Sequence, residues 1–200
     1  MKRSATYSTR RRATVAALLA LPWSRPWARE VESVTLADEV VIAPGTQPLT
    51  LIGAGVFRFL FRRYYVCGLY LPQRRTDLAA ILQPDAARRI GMVMLREVSA
   101  WEFLWGLDRG VADNAERAEL QALEVPLERL RGVIRKIGVL PERAAVSLDY
   151  LPGAGTRIAV NGVAAAEPIP GKALNDALLR VWIGERPLDD GLKQALLGAN

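Results

Sequence analysis

Leu49 to Pro72 reads LTLIGAGVFRFLFRRYYVCGLYLP, the longest apolar run in the 200-residue chain. β-Branched and aromatic residues dominate it, and these suit a pleated, packed surface better than a helix. Beyond Gly55 the odd positions are Phe57, Phe59, Phe61, Arg63, Tyr65, Cys67, Leu69 and Leu71, while the even ones mix Arg58 and Arg62 with Leu60, Tyr64, Val66 and Tyr70. Period two of this kind predicts one long strand, or two joined strands, at the centre of a sheet. A membrane span is excluded, because Arg58, Arg62 and Arg63 would sit near the bilayer midplane at roughly 2.5–3.5 kcal/mol each.

The rest of the chain supplies elements for one α+β domain. Strand-like runs stand at 31–36, 39–42, 88–96, 144–151 and 156–160, and Asn161-Gly162 is a two-residue hairpin signal before a further strand that reaches Ile169. Helical periodicity covers a short stretch after Thr76, then a longer one opened by Ser99-Ala-Trp-Glu102 as a capping box. Trp101, Leu104, Trp105 and Val111 form its stripe, which Phe103 and Leu107 widen, and core packing is the simplest role for the two tryptophans. Pro126 opens another helix, and two more run over 172–183 and 188–197. The fold expected is a large, mainly antiparallel sheet with helices over one face.

Charge placement restricts function. The net charge is +6, yet residues 1–28 hold six basic residues and no acid. The remainder balances 21 basic against 21 acidic residues, so no basic footprint for nucleic acid is expected. The basic start, the run ATVAALLALP and the small Ala28 have the pattern of a signal peptide over 1–28, implying export to a periplasm or beyond, with the domain occupying 29–200. About ten apolar residues cannot cross a bilayer, so the mature chain is expected to carry no integral span.

Chemistry is restricted too. There is no histidine, and Cys67 is the sole cysteine, so Ser-His-Asp catalysis, an internal disulfide and a cysteine-rich zinc site are excluded. No metal or cofactor is expected. Cys67, mid-strand on the apolar face, reads as a small buried hydrophobe. Gly53-Ala-Gly55 lacks the third glycine and the following helix of a dinucleotide fingerprint.

GAGVFRFLFRRYYVCGLYL, together with Met94-Leu-Arg-Glu-Val-Ser-Ala100 and Ile169-Pro-Gly-Lys-Ala-Leu-Asn175 through Trp182-Ile-Gly184, resembles the chalcone isomerase-like family in its bacterial, exported branch. The resemblance spans roughly residues 35–198. True chalcone isomerases close a chalcone to a flavanone with an arginine, a threonine and a tyrosine around a cleft. Non-catalytic relatives bind fatty acids through an arginine–tyrosine pair. Carried over, the family arginine falls on Phe57 with Arg58 one place later, the strand threonine or tyrosine on Tyr65, the helix tyrosine on Phe103, and a helix serine or threonine on Asn175. Phe103 has no hydroxyl, which implies loss of chalcone cyclisation.

The expected function is therefore a non-catalytic domain holding a fatty acid or other small amphipathic carboxylate. Its ligand-binding candidates are Arg58, Arg63, Tyr65, Phe103 and Asn175. An isomerase of altered chemistry and an interaction module without a small ligand are the alternatives. Arg58 faces such a cleft only if a bulge or turn resets the register, and no Gly, Pro, Asn or Asp stands between Val56 and Gly68 to mark one.

Overall fold

The computed structural model describes residues 28–198. Residues 1–27, most of the expected signal peptide, lie outside the described residues. The central stretch is not one strand but a hairpin of β4 (Leu49–Phe59) and β5 (Arg62–Leu71). Leu60 and Phe61 form its two-residue turn with φ of 46° and 64°. Two-residue hairpin turns need positive φ, which Asn and Gly supply readily. In bulky residues each such conformation costs about 1–2 kcal/mol. The same device recurs at the start of the domain. There the expected strand at 31–36 is split into β1 (Ala28–Val31) and β2 (Val34–Ala37) by Glu32 and Ser33 at φ 49° and 61°.

Six further strands are β3 (Glu39–Val40), β6 (Arg88–Met94), β7 (Val98–Ser99), β8 (Val139–Leu140), β9 (Ala145–Leu151) and β10 (Gly155–Val160). After the Asn161-Gly162 turn, β11 (Val163–Ala164) is only two residues long, so the strand expected up to Ile169 ends early. Ile169 keeps a single bridge to Thr156. The main sheet is antiparallel in the order β11-β10-β9-β6-β5-β4-β3. The helices are α1 (Leu78–Leu82), α2 (Ala100–Asn114), α3 (Arg117–Ala122), α4 (Glu124–Ile137), α5 (Lys172–Ile183) and α6 (Asp190–Leu196). Asp77, rather than Thr76, caps α1 by accepting from the Ala80 amide.

The larger core lies between the sheet and the helices. It joins Phe57, Tyr65, Cys67 and Leu69 of the hairpin to Ile90, Met92 and Met94 of β6, and to α2, α4, α5 and α6. Burying side chains of this size removes about 1.5–3 kcal/mol of exposure cost each. Cys67 is fully buried, as expected. On the opposite face the β1–β2 hairpin lays Val34 and Leu36 against Ala54, Val56 and Val66.

Two glycine contacts set the helix positions. A Cβ on Gly53 would lie 2.1 Å from the Ala195 carbonyl oxygen, so α6 rests directly on the backbone of β4. That close seat is the use of the Gly53-Ala-Gly55 run. Likewise a Cβ on Gly110 would fall 2.6 Å from Val181 Cγ1, so α2 meets α5 at Gly110. This contact fixes the rotation of α2 and takes the two tryptophans out of the expected stripe. Phe103, Leu104, Leu107, Gly110 and Val111 face inward, while Trp101 is 73% exposed and Trp105 41%.

Candidate functional site

The face that α2 turns toward the β4–β5 hairpin does not close completely. A cavity of about 330 Å³ lies between them, at the small end of the roughly 300–1,000 Å³ usual for ligand pockets. Phe57, Phe59, Tyr64 and Tyr65 form its strand wall, Trp101, Phe103 and Trp105 its helix wall, and Trp182 of α5 closes it beneath.

The strand wall depends on a bulge. Phe57 pairs with Tyr65 but Arg58 pairs with Arg63, which leaves Tyr64 as an extra residue on β5. Tyr64 and Tyr65 therefore both turn to the cavity. Phe57 stacks on Tyr65 with ring centroids 4.9 Å apart and tilts against Tyr64 at 5.8 Å. Arg58 faces away from Phe57 by ordinary alternation along β4, and the bulge turns Arg63 to that same side. There both donate to Glu32 on the β1–β2 turn, at 3.2 and 2.5 Å, with side chains 52% and 58% exposed.

The expected pairing of Arg58 or Arg63 with Tyr65 is thus not formed. The register does reset, but on β5, where it takes Arg63 away from Tyr65 and leaves Arg58 on the side opposite Phe57. Tyr65 and Phe103 line the cavity together, whereas Asn175 lies beyond Trp182 with its Oδ1 accepting from Arg88 Nε at 2.7 Å.

Polar groups at the cavity are few. Tyr65 Oη accepts from Trp182 Nε1 at 3.0 Å, and its own proton meets no acceptor among the described residues. Burial holds this phenol protonated, with its pKa well above the usual tyrosine value. Glu102 is the one carboxylate on the lining among the described residues. The Ser99 amide and hydroxyl bond it, Arg96 lies 3.1 Å away, and these contacts keep its pKa below the usual glutamate value. Arg96 also sits over the Tyr64 ring, 4.8 Å from its centroid. Among the described residues, no lysine or arginine lines the cavity.

Arg88 is the residue that sequence reading passes over. It shares the inward side of β6 with Ile90, Met92 and Met94 and is 2% exposed. Its guanidinium donates to Asn175 Oδ1, to the Ile81 carbonyl and to Asp176, and lies over the Tyr150 ring. Period two from Ile90 points to Arg88 as an inward residue, and that was the available signal.

The profile of the chalcone isomerase-like family matches residues 28–198. The chain belongs to the chalcone isomerase-like family. No curated protein sequence matches it. Among solved structures, this chalcone isomerase-like chain is similar to the crystal structure of the Arabidopsis thaliana fatty-acid binding protein AtFAP1. The match has 13% identity and a TM-score of 0.66, covering 86% of this chain and 97% of that one. At that identity the likeness is one of fold. The large curled antiparallel sheet with helices on one face is the chalcone isomerase-like architecture, as the central stretch implied.

Proposed function

We propose that this protein binds one small amphipathic molecule of the fatty-acid class, with the tail in the cavity and the carboxylate at its mouth. The observation that carries this reading is the lining itself, aromatic and aliphatic but for Glu102, with no lysine or arginine among the described residues on it to receive a buried anion. An unpaired carboxylate inside would be costly, so the charged end belongs in water. The fold shared with a fatty-acid binding protein supports the ligand class. Binding rather than turnover follows from the chemistry available. Phe103 offers no hydroxyl, Tyr65 holds its proton, and Glu102 is a weakened base.

Titration with dodecanoate and dodecanol tests the reading, with tryptophan fluorescence as the report from Trp101, Trp105 and Trp182. Both compounds should bind, with affinities within about tenfold of each other, because no charge pair distinguishes them. Gly106→Phe, at a position on the cavity wall, should fill the space and remove binding of both. Wild-type protein that binds neither compound would overturn the reading. Binding of dodecanoate alone would reverse the orientation of the ligand.

A further inference from the structure

The tip of the β4–β5 hairpin carries apolar side chains that the fold does not use. Phe61 is fully exposed and Leu60 is 72% exposed, at the two turn positions where backbone geometry least favours them. The same chain builds its β10–β11 turn from Asn161 and Gly162, so the favourable turn chemistry is within its repertoire. Strained positions persist where their side chains serve something beyond the local fold.

Next to this tip are the exposed rings of α2. Phe59 tilts against Trp105 at 5.3 Å, and Trp101 stands beside it on the cavity wall. The base of the tip is cationic. Glu32 pairs with Arg58 and Arg63, and Asp189 accepts from the Arg58 amide at 3.2 Å, while Arg62 has no acidic partner among the described residues. Aromatic and aliphatic side chains ahead of a ring of arginines match the order of a bilayer surface, where acyl boundary gives way to anionic headgroups.

We propose that the hairpin tip, with Leu60 and Phe61 inserted and Trp101 and Trp105 at headgroup level, docks the protein on an anionic lipid surface. Docking does not require the cavity to be filled, so it is measured without fatty acid and stands apart from the reading above. The mouth of the cavity would then open beside the membrane.

Co-sedimentation of the full chain with vesicles of phosphatidylethanolamine and phosphatidylglycerol, against vesicles of phosphatidylcholine, tests this. Wild type should bind the anionic vesicles. Leu60→Asn with Phe61→Gly should weaken that binding by about tenfold or more, through loss of two buried apolar side chains. The same double variant should melt a few degrees higher, because the turn strain is relieved, and a purely structural tip would not give those opposite directions. Phe61→Ser alone serves as the control if the double variant does not fold, and should also weaken binding. Arg62→Gln should cost about fivefold on anionic vesicles and nothing on phosphatidylcholine. Each variant is also run as the mature chain without residues 1–28, whose six basic residues bind anionic vesicles themselves, and the mature chains decide the outcome. Wild type left in the supernatant, or a double variant that binds as wild type does, would overturn docking. A dimer in sedimentation velocity that the double variant loses would instead assign the tip to a second copy of the chain.

Discussion

Arg88→Met removes the guanidinium that ties β6 to α5 while keeping an unbranched stem in the core. Asn175 Oδ1, the Ile81 carbonyl and one oxygen of Asp176 then lose their donor. Removing one member of a buried ion pair costs about 3–5 kcal/mol. The low end applies, because Asp176 is 22% exposed and keeps Lys172 Nζ at 2.6 Å. About 3 kcal/mol is a large part of a typical domain's roughly 5–15 kcal/mol. At this chain length it should lower the melting temperature by about 6–12 °C. Thermal and urea unfolding followed by circular dichroism read both quantities. Asn175→Ala is the companion variant. It should lose about 1–2 kcal/mol through the orphaned guanidinium donor, yet leave dodecanoate affinity within about twofold of wild type. Arg88→Met within about 1 kcal/mol of wild type would refute the keystone role. Loss of ligand binding in a fully stable Asn175→Ala protein would return Asn175 to the ligand site.

Alkaline pH should destabilise the fold. Burial pushes Tyr70 and Tyr150 up to about 12, with the Asp85 carboxylate adding to the effect at Tyr150. Since their folded values lie above the ordinary 10.0, the neutral phenols favour the native state. That contribution is whole below about pH 10 and fades as pH rises toward 12. Unfolding midpoints across this range, read with tyrosinate absorbance, should fall together; a flat profile contradicts the assignment. Incubation with a 2′-hydroxychalcone should give no saturable cyclisation, because one missing transition-state hydrogen bond costs about a hundredfold or more, and efficient turnover would restore an enzymatic role. For the leader we propose export. The intact mass of protein from its own host should lack about the first 28 residues, and full-length protein in the cytoplasm would count against it.

Most of the fold could be read because pattern and turn chemistry agreed. Lys172–Ile183, the Ser99–Glu102 capping box and the Asn161-Gly162 turn stand where their residues indicate. The two hairpins absent from the sequence reading share one cause. At Leu60-Phe61 and Glu32-Ser33 the chain takes positive φ without glycine or asparagine, so neither hairpin announces itself in residue types. Arg63 and Tyr65 stand two apart within β5, so period two puts them on one face whatever the turn, and the bulge at Tyr64 undoes that parity. The tryptophans of α2 went astray for a different reason. Helical spacing allows several inward stripes, and the choice among them was made by Gly110 against Val181. Tyr65 and Phe103 were placed at the cavity by the resemblance, since nothing in periodicity distinguishes a cavity wall from solid core.

Cys67 sits at the middle of β5, paired with Gly55 on one side and Met92 on the other, with no surface exposed. Its burial also pushes the thiol pKa up, so little of the reactive thiolate exists in the native state. As the sole cysteine it is a built-in stopwatch. Fraying at either end of the sheet leaves it covered, and a thiol reagent reaches it only when the central strands part. The rate of labelling under native conditions therefore times the opening of the whole domain, with no probe introduced.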